Sequence, residues 1–202
     1  MSDRIFAESI LTKTKNKKMT RLRALDPQQT TGKVKELLNA VESKLGIVPN
    51  MMRTMANSSA VLEGYLDLSD ALSKGSLNAK TGELIALAVA QSNACDYCLS
   101  AHTFIGANLL KMDNKILTEA RMGRSMDSKT DAILKFAKQL VNKKGLVNNE
   151  DVVTIKNAGI TDDEISEVIG HVALNVLTNY FNNTALTEID FPVAEPVAAS
   201  LS

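Results

Sequence analysis

The chain has 202 residues, of which 45 % are hydrophobic and 23 % charged, and its 23 Lys and Arg balance its 23 Asp and Glu. This length suffices for a domain with a buried core, and the composition is typical of a globular protein. Without a net charge the chain has no general attraction for nucleic acid or an anionic membrane, so we expect neither as a partner. The uncharged run over 84–94 is too short to cross a bilayer.

The first 20 residues have no apolar core of the kind that a signal peptide carries, and Asp3 and Glu8 are unlike a transit peptide. We therefore expect a cytoplasmic protein with a loosely held basic arm over residues 1–20. In that compartment two close cysteines are more often catalytic, redox-active or metal-binding than a structural disulfide.

Helical periodicity dominates the rest of the chain. Apolar residues recur at helical spacing in eight segments, namely 32–45, 60–74, 79–92, 96–111, 114–122, 128–144, 149–158 and 162–183. A short helix is predicted to follow Pro49. Starts are marked by the N-caps Asn78 and Asp113 and by a capping box of Thr161 with Glu164. Glycines that suit helix C-caps follow five segments: Gly46, Gly75, Gly123, Gly145 and Gly159. No stretch alternates as a strand would, so the sequence predicts one all-α domain over 21–193 and an extended tail that includes 194–202.

The stretch "SNACDYCLSAHT" (92–103) holds both cysteines of the chain. A tight turn near Asn93 separates two helices, and Cys95 and Cys98 stand at the N-terminus of the second, a core helix. The positive end of a helix favours the thiolate, which is the reactive form of cysteine.

A carboxylate and an imidazole are predicted to join this pair. Glu83 lies about ten residues before the turn and His102 about ten after it, so antiparallel helices bring them level. His102 is four residues from Cys98, and Cys98 is three from Cys95, so all three share one helix face. The resulting order, Glu83, His102, Cys98 and Cys95, is the order that a proton relay to a thiol requires.

Other interpretations of these residues stay open. Cys95, Cys98 and His102 supply three of the four ligands of a zinc site, with His171 or Glu83 as the fourth, but no second CxxC pair exists. No βαβ pattern surrounds the pair, which excludes a thioredoxin-like site.

The spacing E-x11-C-x2-C-x3-H resembles the AhpD-like alkylhydroperoxidase core of the carboxymuconolactone decarboxylase superfamily. The segments 45–66, 82–103 and 175–192 are similar to its peroxidase-related subgroup, and the resemblance covers about residues 20–193. It implies an all-α homo-oligomer, a trimer or a hexamer, that needs no metal, flavin or haem.

The resemblance also implies roles for the site residues. Cys98 would attack the peroxide, Cys95 would resolve the product, His102 would be the base and Glu83 would orient it. Tyr97 stands where the best-known members carry a second histidine, and it is a poor base near neutral pH. The expected function is a thiol-dependent alkylhydroperoxide reductase in antioxidant defence, with an external dithiol as reductant, either lipoyl-type or linked to a peroxiredoxin.

Polar residues also recur every four positions along the last long helix: His171, Asn175 and Asn179, with Asn182 just beyond. They form either a buried hydrogen-bonding ladder or the lining of a substrate pocket. Two further functions stay open as well. One is an acid–base decarboxylase or isomerase that uses Glu83 and His102, and the other is a weakly active oligomeric redox sensor.

Overall fold

A computed structural model describes residues 19–197 of the chain, and within this range it is all-α, as predicted. The predicted arm over 1–20 lies almost wholly outside the described residues. The helices are α1 Gly32–Leu45, α2 Asn50–Met55, α3 Ser59–Leu72, α4 Ala79–Ser92, α5 Asp96–Phe104, α6 Asn114–Arg121, α7 Ser128–Asn142, α8 Asn149–Asn157 and α9 Asp162–Ala185. A 3₁₀ turn, Pro27–Gln29, precedes α1.

Helix α4 is the centre of the fold. It packs against α5, α6, α7 and α9, and its residues 84–90 are at most 6 % exposed. Glu83, immediately before this run, is the last charged residue of α4, and its side chain is 19 % exposed. The carboxylate therefore lies at the edge of the core and needs a partner there.

Most of the predicted helix boundaries are reproduced because the local capping residues determine them. The side chains of Asn78 and Asp113 accept backbone N–H groups at the starts of α4 and α6. Thr161 and Glu164 form the predicted capping box of α9. Gly46 ends α1 in the left-handed region, with φ of 75°.

Gly75 does not cap a helix, so the prediction for this residue is wrong. Helix α3 ends at Leu72, and the φ of Gly75 is not positive. The reason for a glycine here is a close approach, because a Cβ would lie 2.5 Å from Oε1 of Glu167. That carboxylate accepts the backbone N–H groups of Ser76 and Leu77.

The predicted helix over 96–111 changes its geometry partway. It is α-helical to Phe104 and continues as a π-helical turn, Ile105–Leu109. The wider turn adds one residue to the helical repeat and so rotates the following side chains relative to α5.

The segment after α9 runs along α5. The Phe191 ring packs against Tyr97 and Phe104, with centroid distances of 5.8 Å to both. The N–H of Ala194 donates to Ser100 Oγ at 3.1 Å. Among the described helices, none combines the length and the apolar character needed to cross a bilayer.

Candidate active site

The turn between α4 and α5 is short and tightly bonded. Ala94 adopts a left-handed conformation with φ of 49°, and the N–H of Cys95 donates to the carbonyl of Ala90 at 3.0 Å. The two helices pack against each other, which places Glu83 of α4 beside His102 of α5. Their Oε2 and Nδ1 atoms are 2.7 Å apart, so the structure brings together the two residues that the sequence places level.

The two cysteines stand at the start of α5, and both are free thiols. Cys95 is the N-cap, and its Sγ accepts the backbone N–H of Cys98 at 3.3 Å. Cys95 is 0 % exposed and Cys98 is 2 % exposed. The thiol pair therefore lies inside the protein, shielded from bulk water.

The surroundings of the two sulfurs shift their pKa values in opposite directions. A hydrogen bond from the Cys95 thiol is the largest cause that lowers the pKa of Cys98, to about 6, and the charge of His102 and the amides of Asn182 and Asn179 assist against burial. The same hydrogen bond, together with burial, raises the pKa of Cys95. The pair therefore favours the thiolate at Cys98 and the protonated thiol at Cys95.

Glu83 favours the charged form of the His102 imidazole. Burial lowers the pKa of His102, but the charge and the hydrogen bond of Glu83 outweigh it, with help from Cys98, so that the pKa is raised. Glu83, His102 and Cys98 thus form a series across α4 and α5 that favours a charged imidazole and a thiolate. This arrangement can keep a thiolate ready and supply a proton beside it.

The asparagines at 175, 179 and 182, which the sequence aligns along α9, have different hydrogen-bond partners. Nδ2 of Asn182 donates to Cys98 Sγ at 3.4 Å, and the Asn179 amide is close enough to lower the pKa of the same thiol. Asn175 instead donates to the carbonyl of His171 in its own helix at 2.8 Å. The sequence indicates Asn179 as a pocket residue, but it gives Asn182 only a place beyond the four-residue repeat, whereas Asn182 is the residue that contacts the sulfur.

His171 packs against Gly82 of α4 and takes no part in the contacts that the asparagines make with the Cys98 thiol. A Cβ on Gly82 would lie 3.1 Å from its Cε1, so the glycine gives this ring its space. Burial lowers the pKa of His171, although Glu167 and Glu83 oppose the shift, and its Nε2 is buried without a hydrogen-bond partner among the described residues. Within residues 19–197 no cluster of three or more His, Cys, Asp or Glu side chains could hold a metal ion, so the four-ligand zinc site is not formed.

Two tyrosines border the site in different ways. The Tyr97 hydroxyl accepts the backbone N–H of Met51 at 3.1 Å, which connects α5 to α2. Burial and the Asp190 carboxylate raise the pKa of Tyr97. Tyr65 of α3 is a neighbour of the site that the sequence does not predict. Burial, together with the nearby charges of Glu83 and Cys98, raises its pKa to about 12. Its only sequence signal is an aromatic residue on a helix, which packing alone explains equally well.

Comparisons with known proteins find a matching family profile and solved structures with a similar fold. The profile of the carboxymuconolactone decarboxylase family matches residues 59–140. The structure is similar to an alkylhydroperoxidase AhpD core, an uncharacterised peroxidase-related protein from Ralstonia eutropha JMP134, with a TM-score of 0.76 and 23 % identity over 85 % of this chain and 92 % of that one. A peroxidase-related protein from Silicibacter sp. TM1040 gives a TM-score of 0.74 and 22 % identity over 88 % and 95 % of the two chains.

A third similar structure is that of the debrominase Bmp8 in complex with 2,3,4-tribromopyrrole. Its TM-score is 0.68 and its identity 17 %, over 87 % of this chain and 93 % of that one. At these identities the likeness shows a shared fold. No curated protein sequence matches the chain significantly.

Proposed function

Because this chain belongs to the AhpD-like carboxymuconolactone decarboxylase superfamily, we propose that it is a thiol-dependent hydroperoxide reductase. The observation that carries the proposal is geometric: two free thiols stand one turn apart at the start of α5, on the same helix as a His102 that is bonded to Glu83. The direction of the pKa shifts, lowered at Cys98 and raised at Cys95, agrees with it. A nucleophilic thiolate beside a protonated partner thiol is what a two-cysteine peroxidase needs. The names of the two peroxidase-related structures support the same chemistry.

The reaction follows from the positions of four residues. The Cys98 thiolate attacks the distal oxygen of ROOH, the O–O bond breaks, and the alkoxide takes a proton from the His102 imidazolium to leave as ROH. Cys98 becomes a sulfenic acid. The Cys95 thiol then displaces its hydroxyl group, which leaves with the thiol proton as water and yields the Cys95–Cys98 disulfide. Glu83 keeps the imidazole oriented, since it binds Nδ1 and leaves Nε2 to exchange the proton.

An external dithiol completes the cycle by returning two electrons to the disulfide. A lipoyl-type or peroxiredoxin-linked dithiol fits this role, and a trimer or hexamer in the cytoplasm is the expected setting. The chemistry uses only thiols, an imidazole and a carboxylate of the chain, so we propose that no further cofactor takes part.

A thiol count tests the proposal. Free thiols are titrated before and after a stoichiometric dose of hydroperoxide, and mass spectrometry of the treated protein follows. We expect the loss of two thiols, a mass lower by two hydrogens and a linkage between Cys95 and Cys98. Cys98→Ser should consume no peroxide, and Cys95→Ser should accumulate a dimedone-reactive sulfenic acid. Bound zinc with unreacted thiols, or a Cys98→Ser variant as fast as the parent, would refute it.

The similar fold of a debrominase motivates a second substrate in the same assay. Two thiols can reduce an aryl bromide to the arene with release of bromide and a proton, and the cysteines end as the same disulfide. Bromide release from 2,3,4-tribromopyrrole without peroxide consumption would favour this activity. Unchanged thiols with both substrates would instead favour the acid–base enzyme, and slow, stoichiometric oxidation that changes the oligomeric state would favour the redox sensor.

A further inference from the structure

Asn179 is buried with one half of its amide unused. The residue is 0 % exposed. Its Oδ1 accepts from Asn93 Nδ2 at 2.9 Å, and Asn93 is itself held because its carbonyl accepts from Asn183 Nδ2 at 2.9 Å. In this arrangement Oδ1 of Asn179 faces Asn93, and its Nδ2 points away from Asn93. Its Nδ2, a hydrogen-bond donor, is buried and has no partner in hydrogen-bond geometry among the described residues, but it is close enough to Cys98 to favour the thiolate.

Asn182 shows the complementary arrangement. It is 3 % exposed, and its Nδ2 donates to Cys98 Sγ at 3.4 Å. Its Oδ1, a hydrogen-bond acceptor, is buried without a partner among the described residues. Because both atoms belong to one carboxamide group, this unused acceptor lies next to the reacting sulfur.

One unused donor and one unused acceptor therefore border the same sulfur from adjacent turns of α9, since residues three apart share a helix face. Buried polar groups are normally paired, and two exceptions at one reacting atom indicate a missing ligand. That ligand must offer an O–H or N–H group to Asn182 and an acceptor oxygen or nitrogen to Asn179. A hydroperoxide carries both on adjacent oxygens.

We propose that Asn179 and Asn182 bind the O–OH group of the hydroperoxide, an inference that rests on the proposed function. Oδ1 of Asn182 accepts the hydrogen of the distal oxygen and so presents that oxygen to Cys98. Nδ2 of Asn179 donates to the proximal oxygen, where negative charge develops as the O–O bond breaks. The leaving alkoxide then takes its proton from His102, and the distal oxygen with its hydrogen remains on Cys98 as the sulfenic acid.

The assay compares two electrophiles in a Cys95→Ser background, which isolates the first step. Hydrogen peroxide has the group that the amides would bind, whereas methyl iodide has no hydrogen-bonding group. Both second-order rates for Cys98 are measured at a pH where the thiolate is complete in every variant. A change in thiolate acidity or nucleophilicity then affects both rates alike, and the ratio of the two reports binding of the peroxide.

Asn179→Leu should lower the ratio of the peroxide rate to the methyl iodide rate by about tenfold or more, since one donor to a developing oxyanion is typically worth about 10²–10³ in rate. Asn182→Leu should lower the same ratio, because it removes the acceptor of the peroxide hydrogen. Asn157→Leu, at the exposed end of α8, should leave the ratio unchanged. If leucine prevents folding as judged by circular dichroism, alanine at the same positions replaces it.

An active parent whose ratio is unchanged in both amide variants overturns the peroxide-binding role and leaves the proposed function standing. Equal losses with both electrophiles overturn it as well, because the amides would then act on the thiolate only. A parent that is alkylated but consumes no peroxide overturns the proposed function, and this inference with it.

Discussion

Replacing Cys95 should change the acidity of its neighbour, and two substitutions separate the causes. The Cys95 side chain caps α5 through the bond from the Cys98 N–H, and its thiol is the largest source of the low pKa of Cys98. Alanine removes both contacts. Serine keeps an acceptor for the cap and a donor for the thiolate. We therefore expect the pKa of Cys98 to rise from about 6 toward its ordinary value of 9.0 in Cys95→Ala, and to stay close to 6 in Cys95→Ser.

The size of the effect follows from the fraction of thiolate. With a pKa of about 6, Cys98 is about 90 % ionised at pH 7, whereas a thiol with a pKa of 9.0 is about 1 % ionised. The first-step rate of Cys95→Ala at pH 7 should thus fall by up to about 10²-fold, and the thiolate absorbance of this variant should appear only as the pH rises through 9. Alanine at the N-cap also costs about 1 kcal/mol of stability, which thermal unfolding measures separately.

The assay is a pH titration of the thiolate by its ultraviolet absorbance, in parallel with stopped-flow reaction with hydrogen peroxide. The thiolate absorbance of the parent should rise with pH through about 6 and then level, since the depressed pKa keeps the thiolate populated above that value. The peroxide rate should follow it and then fall at higher pH, where His102 loses the proton that it supplies. Identical titrations of the alanine and serine variants would refute the hydrogen-bond account. A parent protein that titrates only near 9 would refute the thiolate itself.

Two further predictions address the neighbours of the cysteines. Glu83→Gln and His102→Ala should each slow the peroxide step near neutral pH, within the factor of about 10²–10⁴ typical of acid–base assistance, and the double variant should be little worse than His102→Ala because the two act in series. Multiplicative losses in stopped-flow measurements would show that they act independently. Tyr97→Phe should leave the buried N–H of Met51 unpaired and reduce the free energy of unfolding by about 1–3 kcal/mol, without moving the pKa of Cys98. A shifted thiolate titration with unchanged stability would instead assign Tyr97 to the chemistry.

Much of the fold is predictable because its determinants are local. Helix ends depend on capping side chains and on glycines that adopt a positive φ, and both are visible as residue types in sequence. Gly75 and the π-helical turn Ile105–Leu109 are different. The glycine is required by the close approach of the Glu167 carboxylate, 92 residues later in the chain. The π-helical turn has no local signal in the sequence. Both features depend on tertiary packing, which periodicity does not contain.

The candidate site follows the same division. A short turn and helical spacing predict that Glu83, His102 and the two cysteines lie together, because all four belong to two consecutive helices. The contact of Asn182 with Cys98 and the approach of Tyr65 involve α9 and α3, whose placement against α5 has no counterpart in local spacing. Local spacing therefore predicts the contacts within the pair α4 and α5, but not the contacts that α9 and α3 make with it.

The hydrogen bonds that stabilise the Cys98 thiolate also set how readily the oxidised pair can be reduced. Only the reduced protein has a thiolate for the Cys95 thiol and the Asn182 amide to stabilise, so these contacts favour the dithiol over the disulfide. At pH 7 a pKa of about 6 instead of 9.0 favours the reduced form by about tenfold, which for a two-electron couple corresponds to a reduction potential about 30 mV higher. The raised pKa of Cys95 adds nothing to this, because an ordinary thiol is already protonated at that pH. The disulfide is consequently easier to reduce than it would be with an ordinary thiol at Cys98, which favours the return of the protein to its peroxide-reactive state.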